Sequence, residues 1–293
     1  MKPHLSRRLS VTEILRAEHA LLIVAHPDDE AISAITLLAR LPHVEIVIVT
    51  NGAPQNGRAA RRAGFETLED YSRARQEETR RSLGLLGPRV SSVEFWGVPD
   101  QRAIFEIGPI VGRLVELIRA KSVGCILTHA YEGGHPDHDA VALAVHAACV
   151  ILEDEHEAPA IFEMTSYHAA NGQVVYGTFL DYPGAGRVEV FPLSAEDREL
   201  KQRMLNCYDT QRYVIGRFLK TEERFRAAPT YDFLRPPHPG PLNYESRVWD
   251  MSGDRWRRLA ARALDRLGLL EHVPAGLSRG DSPSRVNEGV YRH

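Results

Sequence analysis

The chain has 293 residues, 43% of them hydrophobic and 26% charged, with a formal net charge of −3 at pH 7. That composition supports a buried core of one or two domains at roughly 150 residues each, and it offers no electrostatic case for nucleic acid or an anionic membrane surface. No apolar run reaches the ~18 residues of a membrane span and no secretory signal opens the chain, while Cys125, Cys149 and Cys207 are too widely spaced for a disulfide framework or a thiolate metal site, so a cytoplasmic protein is expected.

Thr12 to Leu15 predicts a short helix before the first strand, Leu21 to Ala25, whose unbroken apolar run suits a parallel strand covered on both faces. Pro27 stops that strand's ladder, and Ala31 to Arg40 predicts a helix packed on the sheet. Val44 to Thr50 is a second strand rich in β-branched residues. Residues 55 to 72 are polar and Arg-rich and predict a loop leading into a helix over Ser72 to Leu86; Arg58, Arg61 and Arg62 read as a solvated face. Val93 to Val98 predicts a third strand, Ile110 to Ala120 an amphipathic helix, Cys125 to Thr128 a fourth strand and Ala140 to Leu152 a buried helix. Alternating strands and helices over residues 1–152 imply an α/β, Rossmann-like, mostly parallel sheet with helices on both faces. Further on, Ile161 to His168 and Val188 to Pro192 predict strands. Ser194 to Leu219 predicts one helix with a capping-box start at Ser194 and Asp197. A Pro-rich loop fills 227–244, Asp254 to Leu267 predicts a last helix, and the tail from about 274 is polar. Residues 153–293 are expected to complete the sheet and its pocket rather than form a second domain.

Only the first and fourth strands run into histidine–carboxylate clusters, Ala25-His26-Pro27-Asp28-Asp29-Glu30 and Gly133-Gly134-His135-Pro136-Asp137-His138-Asp139. Groups at the carboxyl ends of parallel strands face the ligand crevice of an open sheet. A hydrolytic zinc ion takes three nitrogen or oxygen ligands and keeps one open position. His26 and Asp29 can supply two ligands from one turn and His138 the third. Asp28 can take a proton from zinc-bound water. His135 can stabilise an oxyanion or protonate a leaving amine, Asp137 can orient a histidine, and Gly133-Gly134 can let substrate approach closely. Nitrogen ligands favour one Zn2+ per chain over magnesium, although two histidines and a carboxylate also suit non-haem iron(II). His129 and His146 read as hydrogen-bonded or core histidines, and Glu30 as a residue that orients its neighbours. No glycine-rich dinucleotide fingerprint accompanies the sheet.

The two clusters resemble the paired signatures of the PIG-L/LmbE-like family, zinc-dependent deacetylases that cleave N-acetyl groups from N-acetylglucosamine-containing compounds, over about residues 18 to 150. The resemblance implies a Rossmann-like fold, His26, Asp29 and His138 as zinc ligands, Asp28 as base, His135 beside the tetrahedral intermediate and Asp137 tuning it. It also implies that Arg75, on a helix with Gln76-Glu77-Glu78, touches substrate and that Asp100 binds the sugar. In well-known members a tyrosine stands two residues before the first histidine of the second signature. Gly133 occupies that place here, and Tyr131 is the nearest tyrosine. Further along, Lys201, Cys207 to Gln211 and Glu223 to Arg226 resemble a bacterial subgroup, which makes Arg226 and His238 pocket candidates. A small N-acetylated substrate is implied, and the resemblance is compatible with a homo-oligomer. The alternatives are an amidase acting on a thiol conjugate or another acyl amine, and a sugar-binding module without catalysis.

Overall fold

In the computed structural model, which describes residues 10–17, 19–153, 158–246 and 249–272, the strand β1 (Ala20–Val24) lies inside a seven-stranded sheet. It pairs in parallel with β2 (Val44–Thr50), which pairs in parallel with β3 (Val90–Val98). On its other side β1 pairs in parallel with β4 (Cys125–His129), and β4 with β5 (Ala160–Met164). The strands β6 (Tyr167–Ala170) and β7 (Gln173–Tyr176) form a separate antiparallel hairpin. Two antiparallel strands, β8 (Glu189–Pro192) and β9 (Glu222–Ala227), extend the main sheet to the order β3-β2-β1-β4-β5-β9-β8. The architecture is thus α/β and mostly parallel, as the alternating elements predict.

Helices cover both faces. They are α1 (Asp29–Ser33), α2 (Ile35–Leu38), α3 (Arg58–Arg62), α4 (Leu68–Gly84), α5 (Ile107–Lys121), α6 (Pro136–Glu153), α7 (Ala195–Leu205), α8 (Arg212–Ile215) and α9 (Gly253–Arg266). Alternation along β1 divides the core: Leu21 and Ile23 join Leu114, Val145 and Trp256 under α5, α6 and α9, while Leu22 and Val24 join Leu38 and Met204 under α2 and α7. No helix among the described residues is long and apolar enough to cross a membrane.

Several elements depart from the sequence reading. The helix expected over 31–40 breaks at Ala34, whose φ of −131° is not helical, leaving α1 and α2. The stretch 55–72 is more ordered than a loop, since it forms α3 and the start of α4, where the Thr67 side chain caps the Asp70 N–H. Ile161 to His168 is two strands in two sheets. The helix from Ser194 has its capping box but ends at Asn206, because the chain must turn to bury Tyr208. The tail from 274 lies outside the described residues. The sequence reading misses β7, whose four residues are too few to set a pattern, and β9, whose sequence is largely charged.

Candidate metal centre

Strand order reverses at β1: β2 and β3 lie to one side, β4 and β5 to the other. A crevice opens at the carboxyl ends flanking such a reversal, and both histidine–carboxylate clusters hang over it. Pro136 starts α6, where a missing N–H costs nothing. His26 Nδ1 is 3.2 Å from His138 Nε2 and 3.4 Å from Asp29 Oδ2, and His138 Nε2 is 3.3 Å from Asp29 Oδ1. The three donor atoms lie within 4.8 Å of one another, and all three residues are buried. Two imidazole nitrogens and one carboxylate facing one point fit a divalent cation, with the donor count of an open zinc site.

His26 also belongs to an overlapping group with Asp100, His135 and Asp137. There the Asp137 oxygens are already engaged: Oδ2 accepts the Gln101 N–H at 2.6 Å and pairs with His26 Nε2 at 3.2 Å, and Oδ1 accepts the Ala103 N–H at 3.0 Å. Asp137 therefore orients His26, turning Nδ1 toward Asp29 and His138. Its oxygen is 3.9 Å from His135 Nδ1, so the histidine it holds is the first, not the second. Burial opposes a charge on His26, but Asp100, Asp137 and Asp29 together hold its imidazole well above the ordinary range. Burial likewise opposes ionisation of Asp29, yet His138 and His129 hold that carboxyl well below it.

Asp28 stands between these groups with φ of 137°, a backbone region that non-glycine residues rarely occupy. Its N–H donates to Glu30 Oε2 at 3.2 Å, and its Oδ2 accepts from Arg75 Nη2 at 2.8 Å. Arg75 further donates to the carbonyls of Gly52 and Pro27, and Glu30 accepts from the Tyr208 hydroxyl. These contacts hold the strained residue in place. Gly52, at φ +62°, has no room for a Cβ, which would come within 2.8 Å of the Arg75 guanidinium. Burial raises the Asp28 carboxyl, Arg75 opposes it and Asp29 adds to it, leaving it at about 7. For His135, burial and then His26 and His138 depress the imidazole well below its usual range. Its Nδ1 accepts the Asp137 N–H at 3.1 Å, so the proton of the neutral ring sits on Nε2. His129 accepts the Ala25 N–H at 2.9 Å and stacks on His138 at 4.0 Å, and burial lowers it to about 4.

Residues 21–149 match the family model described as PIG-L, GlcNAc-PI de-N-acetylase. That segment carries both histidine–carboxylate clusters. No curated protein matches the sequence. Among solved structures, the chain is similar to the zinc-inhibited form of a teicoplanin deacetylase, at 16% identity and a TM-score of 0.56 over 71% of this chain and 97% of that one. It is also similar to a deacetylase complex from the teicoplanin biosynthesis pathway, at 18% identity and a TM-score of 0.57 over 71% and 96%. A third is the N,N'-diacetylchitobiose deacetylase of Pyrococcus horikoshii, at 16% identity and a TM-score of 0.54 over 75% and 88%. At these identities the likeness is one of fold.

The two clusters border a cavity of about 470 Å³ that His26, Asp28, Asp29, Arg75, Asp100, His135 and His138 all line. Asp100 Oδ1 is buried without a hydrogen-bond partner and sits 3.6 Å from His26 Nε2. Three expected pocket residues, Tyr131, Arg226 and His238, lie elsewhere. Tyr131 stacks on Trp256 and donates its hydroxyl to the Arg235 carbonyl at 2.8 Å, because the loop after β4 turns it into the core under α9. Arg226 is held by Glu163 at 2.8 Å, by Leu180 O and by Tyr231, on the far side of β5 from the crevice. His238 Nδ1 meets the Pro239 carbonyl and does not line the cavity. The two glycines serve the chain's own packing: a Cβ on Gly134 would lie 1.9 Å from the Tyr167 carbonyl, and one on Gly133 2.7 Å from Leu242. His146, half-buried, packs edge-on against Tyr231 and Phe233 rather than lining the cavity. Sequence reasoning passed over the aromatics of the hairpin, Tyr167 and Tyr176, which line the cavity from β6 and β7.

Proposed function

We propose that the chain, acting as a single LmbE-like unit, is a zinc-dependent hydrolase that removes an N-acetyl group from an amino-sugar-containing substrate. The observation that carries this reading is the convergence of His26, Asp29 and His138 on one point, with Asp28 beside them on the same loop. His26 through Nδ1, His138 through Nε2 and an oxygen of Asp29 would hold the ion. When bound, zinc would supply Lewis acidity to the amide carbonyl and acidify water.

The rest belongs to the chain's own residues. Asp28 takes one proton from the attacking water and passes it to the departing nitrogen, so that the C–N bond breaks to acetate and a free amine. A carboxyl poised near 7 suits both halves of that transfer. His135, neutral with its proton on Nε2, donates to the oxygen that gains charge as water adds. Asp137 fixes His26, and Arg75 fixes Asp28 rather than the sugar. Asp100, which lines the cavity, accepts a hydrogen bond from a sugar hydroxyl. A cavity of about 470 Å³ is within the range for a small-molecule ligand.

The test is metal content together with acetate release from a panel of N-acetylated amino sugars, on protein purified without chelator. Chelator-sensitive release with about one zinc per chain is the expected result. Asp28→Ala should keep zinc and lose turnover by roughly 10²- to 10⁴-fold. Release that survives both chelation and Asp28→Ala would overturn the mechanism.

A further inference from the structure

The stretch from Ala31 to Arg40 holds neither glycine nor proline, yet its helix breaks at Ala34, between α1 and α2. In an unbroken helix the Thr36 N–H would donate to the Ile32 carbonyl, four residues back. Here both partners are taken by other groups. Lys201 of α7 donates from Nζ to the Ile32 carbonyl at 2.6 Å, and Glu223 of β9 accepts the Thr36 N–H on Oε2 at 2.8 Å. Glu223 also accepts the Thr36 hydroxyl at 2.7 Å and, on Oε1, the Ile35 N–H at 3.2 Å. The two side chains meet each other at 2.7 Å, and both are buried. One ion pair thus stands in a gap of the helical ladder, an insertion of the kind that kinks helices. Apolar residues of the same volume often stabilise a fold as well as a buried pair does. What this pair adds is directed bonds to two backbone segments.

We propose that Lys201 and Glu223 are positioning residues for the centre: their ion pair imposes the break at Ala34 and, through α1, sets Asp28 and Asp29 at the crevice. Asp29 is the first residue of α1, and the break stands little more than one turn beyond it. The Ala31 and Ile32 N–H groups both donate to the Asp28 carbonyl, at 3.1 and 3.0 Å, so the residue that Lys201 grips is bonded to the base. A continuous helix over 31–40 would redirect α1 and carry both aspartates with it. A misplacement of about 1 Å can cost on the order of 10²-fold in rate. Neither Lys201 nor Glu223 lines the cavity, so both act through α1 and not on substrate. For turnover the assignment rests on the deacetylase reading of the same site; for the geometry of α1 it does not.

The experiment removes both charges together in Lys201→Met/Glu223→Gln, which leaves no buried charge unpaired. It reads amide hydrogen exchange over 28–33 and 35–38, zinc affinity by chelator competition, and kcat for acetate release at saturating zinc. Loss of the Glu223 carboxylate frees the Ile35 and Thr36 N–H groups directly, so only exchange over 28–33 reports on the centre. That exchange should rise by roughly tenfold or more, with zinc bound about tenfold or more weakly and kcat lowered at least about tenfold. The control is Glu163→Gln/Arg226→Met, a second buried pair that also involves β9 but whose partners lie outside α1 and α2. It should leave exchange over 28–33 and zinc affinity within about twofold of wild type. Exchange over 28–33 held within about twofold in the first variant, zinc affinity and kcat both so held, or an equal effect of the control, would each overturn the assignment. If the wild type neither binds zinc nor releases acetate, the deacetylase reading fails, and exchange over 28–33 still decides whether the pair sets α1. If the first variant does not fold, native-state exchange of the wild type in low urea takes its place. There α1 and the turn of α7 around Lys201 should open in one step, and α1 opening first would overturn the assignment.

Discussion

Asp137→Asn tests the centre at the residue that orients it. The wild-type carboxylate is fully buried and accepts three donors: the Gln101 N–H at 2.6 Å and the His26 ring at 3.2 Å on Oδ2, and the Ala103 N–H at 3.0 Å on Oδ1. An amide of the same shape keeps one acceptor oxygen and turns an NH2 toward a donor whichever way it rotates. The better orientation satisfies Gln101 and His26 and leaves the Ala103 N–H unpaired, which costs about 1–3 kcal/mol for one buried unsatisfied group. Loss of the negative charge also leaves the His26 ring less firmly fixed and its Nδ1 less basic. Removal of such a supporting carboxylate lowers metal affinity about 10- to 100-fold. Zinc affinity is measured by chelator competition well below the unfolding temperature, and stability by urea denaturation. Leu114→Ala, which opens a cavity in the core under α5 at about 2–5 kcal/mol, serves as the control and should leave zinc affinity unchanged. If Asp137→Asn lowers stability but holds zinc within about twofold of wild type, then Asp137 only staples the 101–103 loop. The assignment of His26 Nδ1 as a ligand would then be wrong.

Three further outcomes are expected. Tyr131→Phe removes one hydroxyl bonded to the Arg235 carbonyl, so it should cost about 1 kcal/mol of stability and leave kcat/KM within about twofold; a hundredfold loss would return Tyr131 to the substrate. Gly134→Ala meets the Tyr167 carbonyl at 1.9 Å, a backbone contact that cannot rotate away, so thermal unfolding should show a loss at or above the roughly 1–3 kcal/mol of ordinary overpacking; wild-type stability would refute the packing argument. Burial alone lowers His146 to about 4, below its value of about 6.5 in an unfolded chain. The unfolded state therefore binds the extra proton between those values, so this stability is present above about 6.5 and is lost as pH falls through about 4, on the order of 3 kcal/mol in all. His146→Phe should flatten the acid-side fall of the unfolding free energy by that order, and an unchanged pH slope would contradict it.

What the sequence makes legible follows from locality. Strands β1, β2 and β4 are buried on both faces, so their apolar runs are continuous, and β2 has the bounds that its β-branched run predicts, Val44–Thr50. The centre is legible for the same reason, since each half follows directly on a buried strand, its last ligand five residues past Val24 in one case and nine past His129 in the other. The strand β9 is not. Its sequence, Glu222 to Ala227, is charged, and it enters the sheet because Glu223 meets Lys201 and two backbone N–H groups of α2, and Arg226 meets Glu163. Those partners lie on other elements, 22 to 188 positions away, and no pattern within the strand announces them.

The arginines carry this argument furthest, because a sequence shows where a cation is but not whether it is already paired. Arg226 and Arg75 stand in contexts that suggest ligand contact, yet both are buried against carboxylates, Glu163 and Asp28, on which their cost of burial depends. Arg58 and Arg62 belong to a run that reads as a solvated face, yet α3 turns them onto the cavity mouth with no carboxylate beside them. The helix is only five residues long, too short for its periodicity to reveal a face, and Arg217 joins it from more than 150 positions away. Charge that folding pairs internally is unavailable to a ligand, and charge that folding leaves unpaired at an opening is available. That distinction lies in the tertiary structure.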